Sequence, residues 1–138
     1  PDTALVLPLH KNPTVREPLK AILGSHPRVF LQEPFDYSEF VGAIRNCYLI
    51  LTDSGGLQEE APSLGKPVLV LRETTERPEA VMAGTAKLVG TNTSNIVATA
   101  AELLSDDAKY KKMAMAINPF GDGHASERIL KIVRAYFS

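Results

Sequence analysis

The chain has 138 residues, enough for one domain with one sizeable core. Apolar residues make up 44% and charged residues 22%, the balance of an ordinary globular protein rather than a disordered one. A formal net charge of −1 supplies no broad basic field, which argues against nucleic acid as a partner, so any anionic ligand must be held by a local arrangement.

Short apolar runs alternate with longer amphipathic ones along the whole chain. Strands are predicted at 4–9, 28–32, 48–52, 68–71 and 87–89, apolar on successive positions as in parallel strands covered on both faces. Helices are predicted between and after them, at 15–24, 37–46, 57–64, 78–83, 95–104, 108–117 and 124–137. Pro78 suits a first-turn position, and Gly84 and Gly65 suit helix ends. Pro62 conflicts with its helix, because an interior proline removes one hydrogen bond and costs roughly 3 kcal/mol. Either that helix is kinked at Pro62, or its first turn is irregular.

Strand and helix in repeated alternation imply an α/β fold, a Rossmann-like parallel sheet in right-handed crossovers with helices on both faces. The three final helices have no strands between them, so they pack at a sheet edge or cross to a neighbour. Ligands in such sheets bind at the carboxyl ends of the strands, which directs attention to the loops after Leu9, Gln32, Thr52 and Leu71. The sequence opens on Pro1 and reaches the apolar run Ala4-Leu5-Val6-Leu7 at once, and is read as beginning inside a larger protein.

Cys47 is the sole cysteine; it enters an apolar run and reads as a buried, inert thiol. No intrachain disulfide can form, which fits a reducing compartment and a cytoplasmic location. Apolar stretches reach about six residues, against the ~20 needed to span a membrane, and no Cys/His spacing suggests a metal.

The strongest chemical signal is Thr52-Asp53-Ser54-Gly55-Gly56-Leu57-Gln58-Glu59-Glu60. A strand runs into Ser54-Gly55-Gly56 and a helix follows. The glycines allow close approach of a ligand to the backbone, and the free N–H groups of the helix start form an anion site that suits a diphosphate without a lysine. The same three residues also make an ordinary turn and cap. Glu60 lies one turn beyond Gly56 and can accept two hydrogen bonds from a ribose diol, whereas Glu59 is rotated about 100° away. Spacing leaves open whether these acids bind a ligand or only complement the helix dipole.

The run from Leu51 to Val68, with Thr74-Thr75-Glu76-Arg77-Pro78-Glu79-Ala80-Val81, His10-Lys11-Asn12-Pro13 and Asn118-Pro119-Phe120-Gly121-Asp122-Gly123, resembles the signature segments of the non-hydrolysing UDP-N-acetylglucosamine 2-epimerases, in order and over nearly the whole chain. The resemblance implies the C-terminal half of a GT-B fold, in which two Rossmann-like domains face across a cleft. It implies a diphosphate on Ser54, Gly55 and Gly56, a ribose on Glu60, and Arg77 near the phosphates or sugar. Arg77 otherwise reads as a surface pair with Glu76 or Glu73, and Thr75 as a helix cap. The loop of Phe35 and Phe40 becomes the base site, with Phe40 the better wall for uracil, although Phe40 equally fits the buried face of its helix. His10 corresponds to a histidine that bacterial members use at a second, regulatory UDP-GlcNAc site. Gly121-Asp122-Gly123 is expected to fix a turn.

In that family, UDP-GlcNAc loses UDP to give 2-acetamidoglucal, and UDP adds back to yield UDP-ManNAc, without nicotinamide or any other cofactor. The acid/base carboxylates belong to the N-terminal domain, so no catalytic residue is assigned within this chain, which is expected to bind UDP weakly without turnover. The first strand–helix unit of the domain is also expected to be missing. The resemblance further implies a full-length homodimer, no membrane partner and a setting in polysaccharide biosynthesis. Two other readings are the nucleotide half of a UDP-sugar glycosyltransferase and a non-catalytic nucleotide-sugar sensor.

Overall fold

A computed structural model describes residues 3–137, leaving Pro1, Asp2 and Ser138 outside the described residues. The chain divides after Ala43 into two compact units.

In the first unit, β1 (Leu5–Pro8) pairs in parallel with β2 (Val29–Gln32), Leu5 opposite Val29 and Pro8 opposite Gln32. The crossover between them is α1 (Pro13–Leu23). Asn12 caps it by accepting from Thr14 N at 3.0 Å, and Pro13 starts it where a missing N–H costs nothing. Pro18 lies inside α1 and leaves the carbonyl of Thr14, an exposed residue, to water. The unit ends in α2 (Tyr37–Asn46), within which the division falls. A reciprocal box opens that helix: Glu39 N donates to Asp36 Oδ1 at 2.8 Å, and Asp36 N donates to Glu39 Oε2 at 3.1 Å.

The second unit holds a three-stranded parallel sheet in the order β3 (Ile50–Thr52), β4 (Val68–Val70), β5 (Ala86–Leu88). Val68, Leu69 and Val70 are wholly buried, as the unbroken apolar run predicts for a strand covered on both faces. Between the strands run α3 (Gly55–Ser63) and α4 (Pro78–Ala83). The conflict at Pro62 resolves at the end of α3: Pro62 is its penultimate residue, so only one interior bond is lost before the helix stops.

α4 ends on Gly84 with φ 81°, whose N–H reaches the carbonyls of Ala80 and Val81. A β-carbon on Gly84 would meet nothing within 4 Å, so Gly84→Ala tests backbone strain alone. A loss of about 1–2 kcal/mol is expected in chemical denaturation; no loss would show that the turn relaxes.

Two further helices, α5 (Thr93–Ser105) and α6 (Asp107–Ala114), are capped by Asn92 and Asp106. They close the core of Leu69, Val89 and Leu103, against which Leu49, Leu71, Ile96, Ala100 and Met113 pack. Tyr110 of α6 stacks on Tyr48 at 4.0 Å and donates to the Tyr48 carbonyl at 3.0 Å. Cys47 is half-buried, its thiol donating to the Ile44 carbonyl, and burial pushes its pKa up, which keeps it protonated and unreactive.

The positive φ values of Gly121 and Gly123 make the expected turn, where Asp122 accepts from His124 N and grips Arg128 with both oxygens. The last helix, α7 (Ala125–Tyr136), has no buried residue; its stripe of Ile129, Ile132, Val133 and Tyr136 is exposed.

All pairings are parallel, as the alternation predicts, but they fall into two sheets: among the described residues β1 pairs only with β2, and β3 only with β4. Of the three final helices, α5 and α6 pack on the core and α7 does not. No described helix is long and apolar enough to cross a membrane.

Candidate functional site

β3 ends in Thr52, a buried residue whose hydroxyl accepts from Ser54 N at 3.0 Å and so shapes the turn into α3. Ser54 is the N-cap, extended at φ −79° and ψ 132°, yet its side chain makes no capping bond. The caps of α1, α5 and α6 do make one. The first amides of α3 are thus left without a side-chain acceptor, at the positive end of the helix dipole.

Gly56 is open: a β-carbon there would come no closer than 3.9 Å to any atom, the Ser54 hydroxyl. Over Gly55 lies the carboxylate of Glu76, close enough that a β-carbon would collide with it. Arg72 holds that carboxylate at 2.6 Å. A hydrogen bond from its own backbone, and then the Arg72 guanidinium, lower the Glu76 pKa, so the group over the helix start is an anion.

Behind the turn sits Gln58, wholly buried, one helical turn after Ser54. Its amide donates to the Ser54 carbonyl at 3.2 Å and accepts from the Thr75 hydroxyl at 2.6 Å. Thr75 Oγ1 accepts in turn from Arg77 N at 3.0 Å. Thr75 is therefore not the cap of α4, as the sequence suggests; Arg77 stands at that position without a side-chain cap, and the Thr75 oxygen accepts from Arg77 N rather than from an amide inside α4.

The Arg77 guanidinium donates to the Glu59 carboxylate and to the Glu76 carbonyl, the latter at 3.1 Å, and the bond to Glu59 raises its pKa further. Its side-chain partner is thus neither of the neighbours that local sequence offers, Glu76 and Glu73. Glu60 is exposed, and none of the described residues engages its carboxylate.

Ser54, Gly55, Gly56, Glu60 and Arg77 accordingly all belong to the second unit, on α3 and the loop leading to α4. Phe40 and His10 belong to the first. Phe40 is half-buried on α2; His10 is exposed, with its Nδ1 accepting from Asn12 N at 3.1 Å. Sequence reasoning missed Gln58, Arg72 and Glu76 as parts of the site. Only Gln58 carried a signal, its four-residue spacing from Ser54.

A groove of about 510 Å³ lies at the other end of the three-stranded sheet, where Ala86 begins β5, and contributes nothing to this site.

The family model described as UDP-N-acetylglucosamine 2-epimerase matches residues 1–134. The chain belongs to that family. Over all 138 of its residues it is 55% identical to a probable UDP-N-acetylglucosamine 2-epimerase of Ralstonia solanacearum, of which it covers 37%. A crystal structure of a putative epimerase from Listeria monocytogenes superposes with a TM-score of 0.94 at 54% identity, over 99% of this chain and 37% of that one. The epimerase of Neisseria meningitidis, crystallised bound to UDP-GlcNAc, gives 0.89 at 52% identity, over 96% of this chain and 36% of that one. The Rossmann-like α/β fold expected of the chain is thus the fold of the epimerases, whose C-terminal half is the part of a GT-B architecture it resembles. The chain spans little more than a third of the length of these relatives.

Proposed function

We propose that this chain is the nucleotide-sugar-binding part of an isomerase that interconverts UDP-GlcNAc and UDP-ManNAc by elimination and re-addition of UDP. The observation that carries the reading is the uncapped start of α3 with an unengaged carboxylate one turn further on. The diphosphate takes the amides of Gly55 and Gly56 and the Ser54 hydroxyl, and the ribose diol takes Glu60. Glu59 serves instead to hold Arg77, which leans toward the departing phosphates once released or re-aimed. The placement of Glu76 over Gly55 supports the same assignment, because a negative group already rests where the phosphate would. Phe40 supplies a wall for uracil, and His10 a contact at a second, regulatory site. A diphosphate held by fixed dipoles is stabilised as it leaves, which is what elimination at C1 and C2 requires.

The acid/base groups at C2 come from outside this chain, from the N-terminal part of a full-length homodimer. A further strand–helix unit also belongs to the complete domain. We propose that this work is cytoplasmic, on UDP-GlcNAc destined for polysaccharide, and needs no cofactor.

Calorimetry with UDP and an assay with UDP-GlcNAc and no acceptor test the proposal together. This chain alone should bind UDP without turnover, and the full-length protein should form UDP-ManNAc. Glu60→Ala should weaken UDP binding about tenfold or more, the loss of charge-assisted bonds to the diol. Unchanged affinity in that variant would overturn the assignment of Glu60.

A further inference from the structure

We infer that Gln58 is the positioning residue that ties the anion-binding turn to the loop carrying Arg77. The inference rests on the reading of Ser54, Gly55 and Gly56 as the diphosphate site. Gln58 is wholly buried, and both ends of its amide are used. One end takes the carbonyl of Ser54, the residue that opens α3; the other takes the hydroxyl of Thr75, which accepts from the backbone of Arg77. A single side chain therefore bridges two segments that lie 17 residues apart in sequence and sets the spacing between the amides of α3 and the Arg77 loop.

Volume filling alone would be served as well by leucine or methionine, without polar atoms that need partners. What the amide adds is direction. It fixes the Ser54 peptide, and so the aim of the amides after it, and it commits the Thr75 hydroxyl to one orientation. Arg77 starts α4 from that anchor, and its guanidinium then reaches Glu59 on the same helix as Gln58. Bonds in such a chain reinforce one another, so breaking any link should loosen the whole. A turn held this way keeps the aim of its backbone amides fixed before a diphosphate arrives.

The test uses the full-length protein, with UDP affinity measured by calorimetry at a temperature where circular dichroism shows each variant folded. Gln58→Leu and Thr75→Val should each weaken UDP binding about tenfold. The double variant should be no weaker than either single, because the two residues act as one link. Thr75→Ser, which keeps the hydroxyl, should stay within about twofold of the unsubstituted protein. A merely structural role would lower the melting temperature of Gln58→Leu and Thr75→Val while leaving UDP affinity within about twofold; that result overturns the inference, as do losses that simply add in the double variant. If Gln58→Leu does not fold, the contrast between Thr75→Val and Thr75→Ser decides. Failure of the unsubstituted protein to bind UDP would instead overturn the reading of the site itself, and this inference with it.

Discussion

Gly55→Val should abolish measurable UDP binding while leaving the fold intact. Gly55 does not have a positive φ, so its backbone accepts a side chain. In space, the only group a β-carbon would meet is the end of the Glu76 side chain, which is exposed and can swing aside. Valine also has a better helix propensity than glycine, by a few tenths of a kcal/mol, so little stability should be lost. Binding is another matter. The two methyl groups of valine would stand over the first amides of α3, where the diphosphate needs to lie. Charge-assisted bonds are worth about 1.5–3 kcal/mol each, so losing two weakens binding by about a hundredfold or more. Val97→Ala, on the exposed face of α5 and away from the site, is the control, and affinity should change by no more than about twofold. Calorimetry with UDP, beside a thermal melt, measures both. A Gly55→Val protein that binds UDP normally would place the phosphates elsewhere.

The largest effect on stability is expected at Leu69→Ala. Leu69 is wholly buried at the centre of β4, packed with Val89 and Leu103 and bordered by Leu71, Ile96 and Met113. Its truncation removes apolar area from the core and leaves a cavity lined by Leu71 and Val89 just past the ends of β4 and β5 and by side chains of α5 and α6, which cannot close on it. Losses of about 2–5 kcal/mol accompany such changes, a large share of the roughly 5–15 kcal/mol that keeps a domain folded. Val97, 60% exposed on α5, offers the contrast: Val97→Ala should be neutral or slightly stabilising, since alanine is the better helix former. Urea denaturation followed by circular dichroism gives both values. A cost below about 1 kcal/mol for Leu69→Ala would mean that Leu69, Val89 and Leu103 are not the core of the folded protein.

The expected strands and helices are all present among the described residues, with ends shifted by at most a few residues. Where β3 is predicted from Tyr48, it starts at Ile50, and the Tyr48 carbonyl accepts from the Tyr110 hydroxyl instead. The turn at Ser54, the stop at Gly65 and the left-handed Gly84 were all legible, since each depends on the conformational freedom of a few adjacent residues. The choice of Glu60 over Glu59 is a different case. Spacing separates their directions without saying which one meets a ligand; resemblance chose Glu60, and the pairing of Glu59 with Arg77 is consistent with that choice.

Sequence by itself determined the order and type of the elements, the parallel pairing and the glycine turn that opens α3, because periodicity and backbone preference act over a few residues. Tertiary structure alone decided which groups face one another across the turn. Glu59 meets Arg77 from 18 residues away, Glu76 settles over Gly55, and Thr75 serves Gln58 rather than capping α4. It also decided that the apolar stripe of α5 is packed while that of α7 is not. A helical pattern states which side chains share a face, and only the packed chain supplies what lies opposite.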